Sequence, residues 1–205
     1  RVWPRTSTLA FEAHDNIGPA VISESIIEGE KVRLRPVVER DLPHFAEWLS
    51  DAEVRRWLAA IDSPPTIEDE YEWWHDKRAD PDNVMWAIET LDGRLVGNIE
   101  LRLVMKQERA EVGVAIQDKT QWSKGFGTDA VRLVVDYAFE ELNLNRVDLT
   151  TDEENLRAIR CYEKAGFVRE GLLRQHRLID GRFGDTVVMG VLREDWQPID
   201  RGEDD

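Results

Sequence analysis

Residues 110–128 read AEVGVAIQDKTQWSKGFGT: a short β-branched run, a polar connection and a pair of glycines. Ala110 to Ile116 has the length and partial alternation of a strand. Trp122-Ser123-Lys124-Gly125-Phe126-Gly127-Thr128 then leads into a helix expected from about Thr128 to Leu142, with Val131, Val134, Ala138 and Leu142 along one stripe. A loop that opens a helix leaves the first-turn N–H groups unpaired at the positive end of the helix dipole, an arrangement that binds phosphate oxygens. Gly125 and Gly127 let an anion approach the backbone, and Lys124 adds a point charge.

Three phosphate-binding readings compete. A Walker loop is excluded, because no glycine stands five residues before a Gly-Lys-Ser/Thr triplet. The dinucleotide fingerprint matches permissively as Gly125-x-Gly127-x-x-Ala130, with Asp148 or Asp152 placed to hold a ribose. Against it, the polar stretch Gln117 to Lys124 replaces the tight strand-to-helix turn, and too little chain follows Asp148 to build a second half. Coenzyme A is the third reading.

Working outward, Val32, Leu34 and Pro36 alternate with Arg33 and Arg35 as a strand, and Asp41 followed by Leu42-Pro43 opens a helix to about Ser50. Val54, Trp57 and Leu58 suggest a second short helix, and Thr66 to about Lys77 a third. Met85 to Thr90, Leu95 to Met105 and Ala110 to Ile116 read as an antiparallel meander. Arg146 to Thr151 is a further strand, Asn155 to Ala165 a helix closed by Gly166, and two last strands flank the Asp180-Gly181 turn. The predicted fold class is α+β: a mixed, mostly antiparallel central sheet of about six to seven strands flanked by helices. Residues 1–30 read as an N-terminal extension, 31–196 as the compact domain and 197–205 as an acidic tail.

The 205 residues are 41% hydrophobic and 34% charged, which excludes disordered and fibrous classes. A net charge of -15 repels phosphate backbones and anionic lipid, so no nucleic acid and no membrane partner is expected; a cationic partner is favoured. Cys161 is the single cysteine, and the four histidines (His14, His44, His75, His176) lack zinc-ligand spacing. The expectation is a reduced, cytoplasmic protein that holds no metal. Oligomeric state is left open, a dimer included.

Three segments in order carry a resemblance: Ala110 to Ile116, Trp122 to Gly127, and Asn155-Leu156-Arg157-Ala158-Ile159-Arg160-Cys161-Tyr162-Glu163-Lys164-Ala165-Gly166-Phe167. Together they resemble the acetyl-CoA motifs of the GNAT superfamily of N-acetyltransferases. Val32 to Pro36 with Asp41-Leu42, and Asp180-Gly181-Arg182 with Asp185, Met189 and Trp196, resemble more narrowly the Rim-type ribosomal-protein acetyltransferases and their polyamine- and aminoglycoside-acetylating relatives. The resemblance implies the GNAT fold, acetyl-CoA as cosubstrate, and acetyl transfer to a primary amine by direct attack in a ternary complex. The acceptor classes it implies are a protein N-terminus, a polyamine or an aminoglycoside-like amine. One departure stands at Trp122, where the family loop usually carries Gln or Arg.

Acetyl transfer from a thioester to an amine needs a neutral amine, a place for the developing oxyanion and a proton for the thiolate. The resemblance makes Glu111 the candidate base, with Glu100 on the neighbouring strand as the alternate. It also implies that backbone N–H groups of Val114, Ala115 and Ile116 face the thioester and pantetheine where the strand splays. The cofactor loop would be Trp122, Ser123, Lys124, Gly125, Phe126, Gly127 and Thr128. Asn155, Ala158, Ile159 and Tyr162 share a helix face; Asn155 would bind the cofactor amide, small Ala158 leave room beside it, and Tyr162 protonate the thiolate. The plainer reading makes Asn155 a helix N-cap and Tyr162 a core aromatic. Cys161 is expected to be a small buried residue and no nucleophile. On the acceptor side, Glu68, Glu72 and Asp76 form an acidic stripe beside Trp73 and Trp74, either a cation-binding wall or a solvated face; His176 and Asp185 are further candidates. The competing readings are a non-catalytic acyl-CoA-binding module and transfer of a longer acyl group such as succinyl.

Overall fold

The computed structural model describes residues 26–58, 63–105, 108–179 and 181–199; the expected extension up to residue 25, Asp180 of the expected turn and the acidic tail from residue 200 lie outside them. Among the described residues the strands are Ile27–Glu28 (β1), Val32–Pro36 (β2), Asn83–Thr90 (β3), Leu95–Met105 (β4), Arg109–Ile116 (β5), Arg146–Asp152 (β6), Val168–Ile179 (β7) and Arg182–Leu192 (β8). They form one sheet in the order β1-β2-β3-β4-β5-β6-β8-β7. The helices are Leu42–Leu49 (α1), Ala52–Arg55 (α2), Ile67–Ala79 (α3), Phe126–Glu140 (α4) and Leu156–Lys164 (α5). The sheet is thus mixed and mostly antiparallel, as expected. Its eighth strand is β1, which precedes the expected domain start at Lys31 and pairs with β2 through Ile27↔Leu34.

Side-chain parity along β3 shows how the sheet is covered. Val84, Trp86 and Ile88 enter the main core with Val131, Leu133, Val134 and Phe139, which α4 lays across the sheet. Met85 and Ala87 point the other way, into a second core with Leu42, Phe45 and Trp74 from α1 and α3. Alternate residues of a strand face opposite sides, so a strand buried on both faces needs a layer on each.

Local signals set most boundaries. Thr66 and Asp69 form a reciprocal capping box at the start of α3, and Asn155 Oδ1 accepts from Ala158 N at 3.1 Å to cap α5. Helix α4 begins at Phe126, before the expected Thr128, because Gly125 (φ 90°) already turns the chain into it. Among the described residues no helix is long and apolar enough to cross a membrane.

Candidate active site

Because α4 carries the chain from β5 to β6, these two strands run parallel. They pair only through Arg109↔Arg146, Ala110↔Val147 and Glu111↔Asp148. On its other edge β5 stays paired with β4 as far as Gly97↔Ile116. From Val112 to Ile116 the edge facing β6 therefore has no strand partner, and a cavity of about 1030 Å³ lies there, lined by Val114, Ala115 and Ile116 among others. A Cβ on Gly97 would come within 1.9 Å of the Ala115 carbonyl oxygen, so glycine at this crossing permits the close approach of β4 to the splayed strand.

The glycine loop forms the next wall. Ser123 and Gly125 both have positive φ, 63° and 90°. From Ser123 through Thr128 the backbone N–H groups have no hydrogen-bond partner among the described residues; Asp129 N, on Gly125 O at 3.1 Å, is the first to close the helix. Such a run of unpaired donors at a helix start is an anion cradle. Trp122 supports it from below: the indole Nε1 donates to Ile116 O at 2.6 Å, and the Arg157 guanidinium lies 3.4 Å from the indole ring centroid. Arg157 lines the cavity without a hydrogen bond or ion pair among the described residues, and burial pulls its pKa below the ordinary guanidinium range. Sequence reasoning passed over Arg157; the signal was the aromatic at position 122, which exchanges a polar loop side chain for a platform under a cation.

Of the expected cofactor residues, Val114, Ala115, Ile116, Trp122, Ser123, Gly125, Phe126, Gly127, Thr128, Asn155, Ala158 and Tyr162 all line this cavity. Lys124 does not: it is exposed, and its ammonium donates to Gln121 Oε1 at 2.8 Å. Asn155 caps α5 through Oδ1, leaving Nδ2 without a hydrogen bond among the described residues. Tyr162 is 6% exposed, its hydroxyl has no partner there either, and burial pushes the phenol above its usual range. Cys161 also faces the cavity, but burial raises its thiol, and among the described residues its only hydrogen-bonding neighbour is Thr128 Oγ1 at 3.4 Å. A protonated thiol with no base is a poor nucleophile.

The carboxylates are placed differently from expectation. Glu111 does not line the cavity; it lies directly opposite Arg102 on β4, is bonded to it, and also accepts from Arg109 Nη2 at 3.0 Å. Glu100, the alternate, does line the cavity, held by Lys77 Nζ at 2.5 Å and Asn83 Nδ2 at 3.2 Å. Glu68, Glu72 and Asp76 are exposed and outside the cavity, so the acidic stripe is the solvent face of α3. Trp74 is buried in the second core, while Trp73 and Glu70 turn into the cavity. His176 also reaches it, from a bulge where Gln175 has φ 51° and β7 slips register against β8. Asp185 instead accepts from Gln175 N at 2.7 Å and holds that bulge.

Residues 31–168 match the family model described as an acetyltransferase (GNAT) domain. Among curated proteins the chain is 41% identical over 106 residues to the probable N-acetyltransferase YjcK of Bacillus subtilis, covering 51% of this chain and 58% of that relative. It is 30% identical over 153 residues to an aminoglycoside N(6′)-acetyltransferase type 1 of Klebsiella pneumoniae, covering 69% of this chain and 76% of the relative. A solved structure of spermidine N-acetyltransferase from Vibrio cholerae, in complex with CoA and spermine, superposes with a TM-score of 0.72 at 26% identity, covering 80% and 96% of the two chains. A splayed parallel pair beside an unpaired glycine loop is thus joined to sequence similarity along most of the same residues, and the chain belongs to the GNAT family and is an N-acetyltransferase.

Proposed function

We propose that this enzyme transfers the acetyl group of acetyl-CoA to a primary amine by direct attack while both substrates are bound, with residues 31–196 as the catalytic domain. The observation that carries the reading is the free edge of β5 from Val112 to Ile116, continuous with the unpaired N–H groups of Ser123 to Thr128. An extended chain with amides pairs with an open strand edge as a further strand would, which suits pantetheine. A pyrophosphate suits the loop, and the Arg157 guanidinium supplies a positive charge beside it. The cavity's cations, Arg157, Arg160, Lys164 and Arg177, come from α5 and β7, whereas α3 and β4 bring carboxylates. That division matches an anionic cosubstrate entering against α5 and an amine entering against α3.

Each residue then has a task. Backbone N–H groups at Val114 and Ile116, which face away from β4 whereas the polar groups of Ala115 face it, hold the acyl carbonyl and stabilise the charge that develops on its oxygen. Asn155 Nδ2 donates to a pantetheine carbonyl, which its role as a cap leaves it free to do. The Tyr162 hydroxyl gives its proton to the departing thiolate, a group whose own pKa is about 8.5 by analogy with cysteine. Glu111 has no part in this assignment, because two arginines already hold its carboxylate. The acceptor ammonium gives one proton to solvent before attack, and as the C–S bond breaks the nitrogen gives a second, which restores the one that Tyr162 passes to the thiolate. Acetyl-CoA supplies the activated acyl group.

Thermal unfolding with acetyl-CoA, free CoA and NAD tests the reading. At about 100 times the dissociation constant, a specific ligand stabilises by about 2.7 kcal/mol. Stabilisation by acetyl-CoA and CoA, followed by thiol release on adding an amine, is expected. A response to NAD alone, or CoA binding with no thiol release for any amine class, overturns it.

A further inference from the structure

Helix α3 sends Glu70, Trp73 and Lys77 inward at spacings of three and four residues, which places them on one face. Glu70 and Trp73 line the cavity, and Lys77 reaches across to Glu100 on β4. Four carboxylates line this cavity among the described residues: Asp69, Glu70, Glu100 and Asp152. Asp69 accepts from the Thr66 backbone N–H at 2.7 Å and its hydroxyl at 2.9 Å. Glu100 is held by Lys77 and Asn83, and Asp152 accepts from Glu154 N at 2.8 Å. Glu70 differs from all three: it is 6% exposed, yet its carboxyl forms no hydrogen bond and no ion pair with a described residue.

A buried carboxyl without a partner destabilises the fold. Here burial, with the negative charge of Asp69 added, pushes Glu70 up to about 7. Local structure does not require the residue, because the capping box already secures the start of α3. A position that breaks the rule for buried polar groups without a local return is the kind found at functional sites. The absent partner must donate hydrogen bonds and is favoured if it carries positive charge. Trp73, three residues on along the helix and also lining the cavity, adds an indole surface suited to an alkylammonium.

We infer that Glu70 binds the ammonium group of the acceptor, so that the enzyme selects an alkylamine that arrives as a cation. This rests on the acetyl-transfer reading above. Glu70 and Trp73 form the recognition wall, while the solvent-facing Glu68, Glu72 and Asp76 take no part in it.

The test compares wild type with Glu70→Gln, which keeps size and packing, and Glu70→Asp, which keeps charge but shortens the reach. The probes are spermidine, an aminoglycoside and a short peptide with a free N-terminus, each titrated calorimetrically with CoA present and assayed for acetyl transfer. Acetyl-CoA affinity is measured on the same samples. The expected result is that at least one amine binds wild type, that Glu70→Gln raises its Kd and KM at least tenfold, and that Glu70→Asp falls between. Acetyl-CoA affinity should be unchanged throughout. Failure of wild type to bind acetyl-CoA would sink the acetyl-transfer reading itself. If acetyl-CoA binds but no cationic amine does, or Glu70→Gln leaves amine Kd and KM unchanged, the assignment of Glu70 is overturned while the cosubstrate site stands. A lowered melting temperature in Glu70→Gln at pH 8 would also count against it, since that would show a structural role.

Discussion

Trp122 donates its indole N–H to the carbonyl of Ile116 at 2.6 Å and carries the Arg157 guanidinium on its ring. One side chain thereby fixes the glycine loop to the end of the splayed strand and positions a cation at the cavity wall. The loop can use its backbone N–H groups for an anion because its shape is maintained from behind. Trp122→Phe keeps a ring under Arg157 but removes the donor. It is expected to cost about 1 kcal/mol of stability and to weaken acetyl-CoA binding roughly three- to tenfold, as read by denaturant unfolding and calorimetry. Trp122→Leu also removes the platform and should weaken binding further.

Asn155 caps α5 through Oδ1, and the second task proposed for it falls to Nδ2, which has no hydrogen bond among the described residues. Asn155→Asp retains the cap and loses the amide donor; Asn155→Ala loses both. The alanine variant should be destabilised by about 1 kcal/mol and the aspartate variant hardly at all. Both should bind acetyl-CoA more weakly than wild type. Equal cosubstrate affinity in wild type and Asn155→Asp would restrict Asn155 to capping.

For Tyr162 the proposed task is proton donation. Tyr162→Phe should lower kcat by about 100-fold or more, with acetyl-CoA affinity nearly unchanged. Burial raises the phenol above its usual range, so the hydroxyl stays protonated at neutral pH. No loss of kcat from its ionisation is therefore expected up to about pH 10. A kcat within twofold of wild type in the phenylalanine variant would return Tyr162 to the core.

The pH dependence of stability has a definite sign at Glu70. Its folded pKa is raised from 4.5 to about 7, so between these values the native state binds more protons there than the unfolded chain, and stability falls as pH rises. Glu70→Gln removes that loss. At pH 8 it should be more stable than wild type by about 1–3 kcal/mol, with the difference vanishing near pH 4. Asp69, Glu100, His176 and Arg177 also line the cavity, and Lys77 is bonded to Glu100. The measurement is therefore the wild-type-minus-variant difference in denaturant stability across pH, in which their own titrations largely cancel.

Much of the fold was legible in the sequence because its signals are local. Alternation in Met85 to Thr90, the glycines after Trp122, the Asn155 cap and Gly166 after α5 each act over a few residues. The three GNAT segments were legible for the same reason, since a strand, a glycine loop that opens a helix and a capped helix are patterns of neighbouring residues. The roles of the carboxylates were not. Glu111 is occupied because β4 and β5 pair in the register that sets it opposite Arg102, and Lys124 because its side chain turns back onto Gln121. Glu70 is desolvated only when α3 closes over the sheet. Hydrogen-bonding and periodic preferences belong to neighbouring residues, so the sequence by itself determined the elements, their order and the family. Which charged groups are neutralised and which are left waiting depends on desolvation and on partners distant in the chain, and only the tertiary structure decided that.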